Sequence, residues 1–321
     1  MPNILGIIQN GFADVVNVLL DKGADVNLAT KDGSTALIVA SNMGHPDIVS
    51  QLLKHGAKLD VTVDSTSALM CACVNGYTDI AYLLIDAGID IGASNTMGWT
   101  PVLQAAERGC YKILDRLIEN GADVNVRSSN AKWTPLMSAS ANGFVDIAEA
   151  LIQAGADIDA QQAGGWTPLM IAVQAGETEI VRLLLNHHAK IFNSKSEISP
   201  GGNAAALADI PDGALPMIGA TLGGHVDIIL LLLDHGANIE VKTTGGRTPL
   251  MIAASMGNKS ATNILLSRKA VMPVIDDLGY TMSRIGWVYI KGMLGAGPRR
   301  AIHVLPSPSA IAAPKKLQKG D

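Results

Sequence analysis

The chain has 321 residues, a net charge of −5 and an isoelectric point near 5.8, which argues against general affinity for nucleic acid or anionic membranes. Hydrophobic residues make up 48% of the sequence but aromatic residues only 4%, so the composition predicts a core of closely packed aliphatic helices. Three cysteines, no signal-peptide pattern near Met1 and no apolar run long enough to span a membrane indicate a cytoplasmic protein, with the nucleus as the alternative.

A repeat of about 33 residues runs through most of the sequence. It is clearest in the glycines that end short apolar segments, spaced by 33, 32, 33, 34, 33, 48 and 33 residues: Gly11, Gly44, Gly76, Gly109, Gly143, Gly176, Gly224 and Gly257. A second series in register with the first closes the next apolar segment: Gly23, Gly56, Gly88, Gly121, Gly155, His188 in the glycine position, and Gly236. This period is typical of solenoids, in which each unit packs only against its neighbours.

Each unit is predicted to be a turn followed by two short helices. Four units begin the first helix with Thr-Pro, as at Thr100-Pro101, where the Thr hydroxyl can cap a free N–H group and Pro fits the first helical position. The second helix carries an acidic residue in its first turn, such as Asp47, and a Leu pair such as Leu52-Leu53 in its buried stripe. Because neither helix is long enough to be stable alone, we expect neighbouring units to bury each other's apolar faces.

These units resemble ankyrin repeats, as in GSTALIVASNMGHPDIVSQLLKHGAKLD at 33–60 and GWTPLMIAVQAGETEIVRLLLNHHAK at 165–190. The resemblance covers residues 1–270 in about eight units, with a degenerate ninth unit at 276–290. It implies an all-α ankyrin-repeat solenoid over residues 1–290, built from helix-turn-helix units with β-hairpin-like fingers. In this family the fingers and first helices form a concave surface where protein partners usually bind. One departure is systematic, because Met mostly replaces the family's His after Thr-Pro-Leu: Met70, Met137, Met170 and Met251.

The pattern breaks at three places along the chain. At the N-terminal end it begins with a first helix that lacks the preceding turn, so Ile4, Leu5, Ile7 and Ile8 are expected to crowd a partly open end of the stack. We expect a monomer unless this open end pairs. An insertion near 193–211 is predicted to be a flexible loop, either a tolerated surface insertion or a specialised finger that contacts a partner. Residues 291–321 are predicted to form a disordered basic tail rich in Pro and Ala.

The titratable residues do not form a recognisable catalytic or metal-binding set. Six of the seven histidines occupy repeated positions of the unit, so structural roles account for them, and equivalent positions of distant units are too far apart to share a metal. Cys71 and Cys73, two residues apart on a predicted helix, point about 200° apart and are poorly placed to chelate one ion. We therefore predict that the chain is not an enzyme and binds no metal or cofactor.

Two rows of residues are the candidates for partner binding. In this family the position between the turn glycine and the Thr faces outward from the finger, and here it holds Trp99, Trp133, Trp166, Arg247 and Tyr280. A second row lies just before each central glycine: Met43, Asn75, Arg108, Asn142 and Gln174. Trp and Arg are enriched at interface hot spots, so we predict a ridge of exposed indoles that binds a protein. The alternative is that the rings stack on neighbouring fingers and make them rigid.

Two classes of function remain from the sequence. The favoured one is a protein–protein interaction module or scaffold, and the alternative is a regulatory or targeting repeat fragment of a larger enzyme or effector. In addition, Asn27 and Asn125 each end a Gly-Ala-Asp-Val-Asn turn and resemble the asparagines that are hydroxylated in many ankyrin proteins. The resemblance marks these two residues as candidate hydroxylation sites.

Overall fold

Sixteen helices in eight pairs make up the part of the chain that the computed structural model describes, residues 4–63, 65–191 and 214–271. The first helices of the pairs are α1 (Ile4–Gln9), α3 (Ala36–Met43), α5 (Ala68–Asn75), α7 (Pro101–Arg108), α9 (Pro135–Asn142), α11 (Pro168–Ala175), α13 (Leu215–Gly223) and α15 (Pro249–Ser255). The second helices are α2 (Ala13–Asp21), α4 (Pro46–Lys54), α6 (Thr78–Asp86), α8 (Tyr111–Glu119), α10 (Val145–Gln153), α12 (Thr178–Asn186), α14 (Val226–Asp234) and α16 (Lys259–Ser267).

Local signals set the bounds of the first helices as the sequence predicts. The side chain of Thr134 accepts a hydrogen bond from the backbone N–H of Met137, and Pro135 occupies the first helical position. Equivalent caps are made by Thr35, Ser67, Thr100, Thr167 and Thr248. At the other end, Gly44 has a left-handed backbone with φ +80°, which stops α3 and turns the chain toward α4.

The pairs stack into an array with two layers of helices. Each first helix packs on the first helix of the next pair, as α7 does on α9, and each second helix packs on its counterpart, as α8 does on α10. Their buried side chains form one continuous apolar cluster from Leu5 to Leu265. The all-helical repeat architecture is therefore confirmed, and its stability comes from neighbouring units because each helix has only six to nine residues.

Tight turns precede the first helices, and we call them fingers: residues 30–34, 63–66, 95–99, 128–133, 162–166 and 243–247. A backbone hydrogen bond joins the two ends of each finger, for example from Ser128 N to Trp133 O at 3.0 Å. Bridges between single residues occur at Ala29 with Thr35 and at Val63 with Thr66, and no longer strand is formed in the described segments.

The stack is continuous on both sides of the gap at 192–213. α13 packs on α11 and α14 packs on α12, as neighbouring pairs do elsewhere in the array. The insertion at 193–211, the degenerate unit at 276–290, Tyr280 and the tail at 291–321 lie outside the described residues. None of the helices in the described ranges is long and apolar enough to cross a membrane.

The N-terminal end differs from the expectation in where its exposed apolar residues lie. Leu5 and Ile8 are buried, because α1 packs directly on α3. The exposed apolar side chains belong instead to α2 and the residue before it, with Phe12 58% exposed and Val15 and Val18 also exposed. In the first pair, it is thus helix α2 that presents apolar side chains to solvent.

Candidate protein-binding surface

The two predicted rows belong to the fingers and to the C-terminal ends of the first helices, which together we call the first-helix face. We define it as the fingers, the residue directly before each finger, and the first helices. Helix α9 has eight residues and is therefore about 12 Å long, so a finger and the far end of its helix lie within reach of one partner segment. Consecutive units are separated by roughly one interaxial distance of 8–10 Å.

Trp133 is only partly exposed, which corrects the expectation of a freely exposed indole. Its ring packs against the buried cluster formed by Met137, Ala160 and Ile171. Its Nε1–H donates a hydrogen bond of 2.8 Å to Ser138 Oγ on helix α9. The indole therefore braces the finger against its own helix and the next one.

Trp166 is also partly buried and lies between two apolar clusters. One is the Met137 cluster that also holds Trp133, and the other contains Met170, Ile218 and Ile252. Trp99 is half-buried, and its finger is closed by hydrogen bonds from its backbone N–H to Asn95 Oδ1 and from Asn95 N to Trp99 O, both 3.0 Å. The outward position of the slot does not prevent burial, because the rings of Trp133 and Trp166 pack on apolar clusters that include residues of adjacent units.

Backbone hydrogen bonds join the three tryptophan-bearing fingers to one another. Ser129 N donates to Met97 O at 2.9 Å, and Ala163 N donates to Ala131 O at 2.8 Å. Met97, in the finger at 95–99, is 55% exposed and was missed by the sequence reasoning because its slot is not the outward one. The three fingers thus form a connected ledge with an apolar side chain at its edge.

The second row lies where the sequence places it, with every member exposed at the C-terminal end of a first helix: Met43, Asn75, Arg108, Asn142 and Gln174. Asn75 Nδ2 donates to Asn42 Oδ1 of the preceding unit at 3.3 Å and to Cys71 O at 2.9 Å. Arg247, from the first row, is exposed and donates from Nη2 to Ser255 Oγ at 2.7 Å. By this definition both rows belong to the first-helix face, except for Tyr280, which lies outside the described residues.

Two histidines in equivalent positions of the repeat make the same contact with their own helix. His55 Nδ1 lies 2.9 Å from Gln51 O and His235 Nδ1 lies 2.9 Å from Leu231 O, the same contact in two units. Burial raises the pKa of Cys71 to about 11, and it also raises the pKa of Cys73. Such thiols are poor nucleophiles near neutral pH. Within the described ranges, no group of three or more His, Cys, Asp or Glu could hold a metal ion.

The two candidate hydroxylation sites connect consecutive units. Asn27 Oδ1 accepts a hydrogen bond from Lys58 N at 2.8 Å. Asn125 makes two such contacts, accepting from Asp157 N at 2.7 Å and donating from Nδ2 to Gly155 O at 3.0 Å. Asp159 accepts from Lys190 N in the same way, so a side-chain oxygen at this slot links neighbouring turns.

Family comparison agrees with this architecture. Models of ankyrin repeats, three copies each, match the chain at 5–95, 64–128, 103–197, 154–209 and 198–276. The chain belongs to the ankyrin repeat family. Repeats of this family generally act as protein–protein interaction modules.

Several curated ankyrin-containing proteins are similar to the chain over most of its length. The ankyrin repeat and KH domain-containing protein mask-1 of Caenorhabditis elegans is 31% identical over 285 residues, which are 82% of this chain and 10% of that protein. The transient receptor potential cation channel subfamily A member 1 of Homo sapiens is 25% identical over 85% of this chain and 24% of the channel. The E3 ubiquitin-protein ligase KEG of Arabidopsis thaliana is 26% identical over 84% of this chain and 17% of the ligase. The chain thus spans a minor part of each of these relatives.

Proposed function

We propose that this ankyrin array is a protein-binding module or scaffold that holds a partner against its first-helix face. The observation that carries the proposal is the connected ledge of three fingers beside an exposed row of helix ends. Because the Met97–Ser129 and Ala131–Ala163 bonds already fix the fingers, binding would order few additional groups. A preorganised surface loses less conformational entropy when a partner docks, which favours affinity.

The proposal refines the role of the three indoles. Trp133 and Trp166 serve first as braces, since both pack on buried clusters. Their remaining exposed edges, together with Met97 and the half-buried Trp99, supply the apolar part of the contact. Aromatic side chains of this kind often lie at the centre of interfaces. Trp99→Ala is therefore the tryptophan variant that best reports partner contact.

Affinity capture with the full chain tests this function. We would compare the unaltered chain with a row variant, Met43→Ala/Asn142→Ala/Gln174→Ala, whose three positions are all exposed. A matched control changes exposed second-helix positions, Glu149→Ala/Asn186→Ala/Asn263→Ala. We expect the row variant to bind the captured protein at least tenfold more weakly and the control to bind it normally. Equal binding by all three proteins would overturn the assignment to this face.

A second function is supported by how the relatives are built. The matched regions are 10%, 24% and 17% of mask-1, the channel and the KEG ligase, so repeats of this kind occur as parts of larger proteins. In this alternative, the array is a regulatory or targeting part of a larger enzyme or effector. Sequencing the complete transcript and measuring the mass of the native protein would decide between the two. A native mass equal to that of the chain, 33.4 kDa, would rule the second out.

A further inference from the structure

The charges of the molecule are unevenly divided between the first-helix face and the rest of the array. On that face, six described residues are basic and two are acidic: Lys31, Arg108, Arg127, Lys132, Lys242 and Arg247 against Asp32 and Glu107. Asp64, in the finger at 63–66, lies outside the described residues. The remaining described residues carry twenty acidic and ten basic side chains. A chain with a net charge of −5 therefore presents a basic strip on the face proposed for binding.

Three of the cations belong to the two consecutive units that carry Trp99 and Trp133. Arg127 directly precedes the finger at 128–133, and Lys132 lies near the end of this finger. A backbone bond between Ser128 and Trp133 closes the finger. Arg108 ends helix α7 in the preceding unit. All three side chains are exposed. The exposed Met97 belongs to the neighbouring finger, whose backbone is bonded to Ser129. We call Arg108, Arg127, Lys132 and Met97 the basic patch.

Contacts already present hold part of this patch in place. Arg127 donates from Nη1 to Gln161 O at 3.3 Å, which directs the guanidinium toward the next finger while the residue stays exposed. A guanidinium has five N–H donors in a fixed plane and can bind a carboxylate through two of them. At the N-terminal finger the situation differs, because Asp32, bonded to the hydroxyls of Thr30 and Ser34, stands beside Lys31 and offsets its charge.

We propose that the partner segment seated on the basic patch is an acidic peptide with apolar side chains among its carboxylates. This inference rests on the proposed function and names the chemistry of the partner. Carboxylates would pair with Arg108, Arg127 and Lys132, and apolar side chains would cover Met97 and the exposed edges of the indoles. Charge complementarity of this kind raises association rates and excludes partners of the wrong sign.

An acidic peptide fits better than a nucleic acid, which would also be attracted by cations and aromatic rings. Outside the basic strip, the described array carries twenty acidic and ten basic side chains and is therefore net negative. A nucleic acid strand carries one negative charge per phosphate over its whole length. Wherever the strand left the basic strip, the acidic side chains would repel it. A peptide can restrict its negative charge to the few residues that face the patch.

Peptide selection on the full chain tests the inference without a known partner. A library of short random peptides is selected on the immobilised protein, and the net charge of the enriched sequences is compared with that of the starting library. We expect enriched peptides to be acidic and to bind more weakly as salt is raised, because the Debye length falls from about 10 Å at 0.1 M to 3 Å at 1 M. Failure to enrich acidic sequences would overturn the inference.

Matched variants then locate the binding site. The patch variant Arg108→Gln/Arg127→Gln/Lys132→Gln and the control variant Lys54→Gln/Lys112→Gln/Lys259→Gln each remove three exposed cations. We expect the patch variant to bind the selected peptides at least tenfold more weakly and the control to change binding less than twofold. Thermal unfolding followed by circular dichroism checks that both variants fold. Equal weakening would indicate general electrostatic attraction and would count against the patch.

The outcomes separate this inference from the proposed function. The row variant used for affinity capture retains all three cations, so the two experiments alter different residues. A partner that needs the row, but whose contacting segment is not acidic, would overturn the inference and leave the binding module intact. Tighter binding of a single-stranded oligonucleotide than of the selected peptides, lost in the patch variant, would also overturn the inference and would point to nucleic acid.

Discussion

The block of fingers at 95–166 and the N-terminal end at 4–66 are built from the same repeat, yet they are held in different ways. In the block, the fingers are joined by backbone bonds at Met97–Ser129 and Ala131–Ala163, and partly buried indoles lie over the apolar floor. At the N-terminal end the fingers carry no indole, because Ser34 and Thr66 occupy the position that Trp133 holds in the block. The stack there also ends in the exposed side chains of Phe12, Val15 and Val18.

This difference shows that the helix pairs and the fingers contribute separately to stability. Both regions have capped first helices and buried aliphatic cores, so both form the repeat. The block adds indoles that pack on buried clusters of neighbouring units, and these extend the coupling between units to the fingers. A surface that must keep its shape for a partner is best placed in such a block, because it opens locally less often than an end does.

The largest difference between the two regions in the free energy of unfolding should come from removing an indole in the block. Trp133→Ala deletes a ring that packs on Met137 and Ile171 and leaves Ser138 without its donor, so we expect the free energy of unfolding to fall by about 3 kcal/mol. Phe12→Ala, at a ring that is 58% exposed, should cost no more than about 0.5 kcal/mol. Urea denaturation of both variants measures the two values. Similar losses would show that the indole is not a brace.

Substitution of two glycines, one in each region, isolates the contribution of the contact between fingers. Gly98 and Gly33 both have left-handed backbones, with φ +73° and +86°, which cost another residue about 1 kcal/mol. A Cβ on Gly98 would lie 2.6 Å from Ser129 N, whereas a Cβ on Gly33 would meet nothing within 4 Å.

We therefore expect Gly98→Ala to lower the free energy of unfolding by about 2 kcal/mol and Gly33→Ala by about 1 kcal/mol. Hydrogen exchange of the Ser129 amide should become faster in Gly98→Ala alone. Unchanged exchange at Ser129 would mean that the bond to Met97 tolerates the displacement and does not couple the fingers.

Removing the asparagine side chains that link units should give a smaller difference in the free energy of unfolding, again with the larger loss in the block. Asn125→Ala removes two contacts with the next unit and Asn27→Ala removes one. At about 1 kcal/mol for each hydrogen bond, the expected losses are about 2 and about 1 kcal/mol. Chemical denaturation again measures both. A larger loss for Asn27→Ala would contradict the view that the N-terminal end is the less tightly connected region.

Hydroxylation should show the smallest difference between the two regions. The asparagine that is held less tightly should be modified to the greater extent. In a cell with an asparagine hydroxylase that acts on ankyrin repeats, we expect Asn27 to be modified to a greater extent than Asn125, because its turn is held by one contact with the next unit instead of two. Mass spectrometry of tryptic peptides from native material would detect one added oxygen. Peptides that remain unmodified at both sites would exclude them as substrates.

Much of the array is readable from its sequence because the signals are local and repeated. Thr caps, Pro at the first helical position and left-handed glycines act within a few residues, so the helix pairs could be placed along the chain without a structure. Met43, Arg108 and Gln174 are exposed at the ends of their first helices, which is where the sequence locates them from the helix-ending glycines. The binding role of this row remains a prediction.

The sequence by itself therefore determined the fold, the position of the helices in each repeat and the elements that carry the two rows. The tertiary structure alone decided how far the tryptophans of the finger row are buried. Trp133 occupies an outward slot, yet Ile171 of a neighbouring unit provides the surface on which it is partly buried. The bond between Met97 and Ser129 likewise joins two units. Such contacts depend on how adjacent repeats are spaced and rotated, which no pattern within a single repeat records.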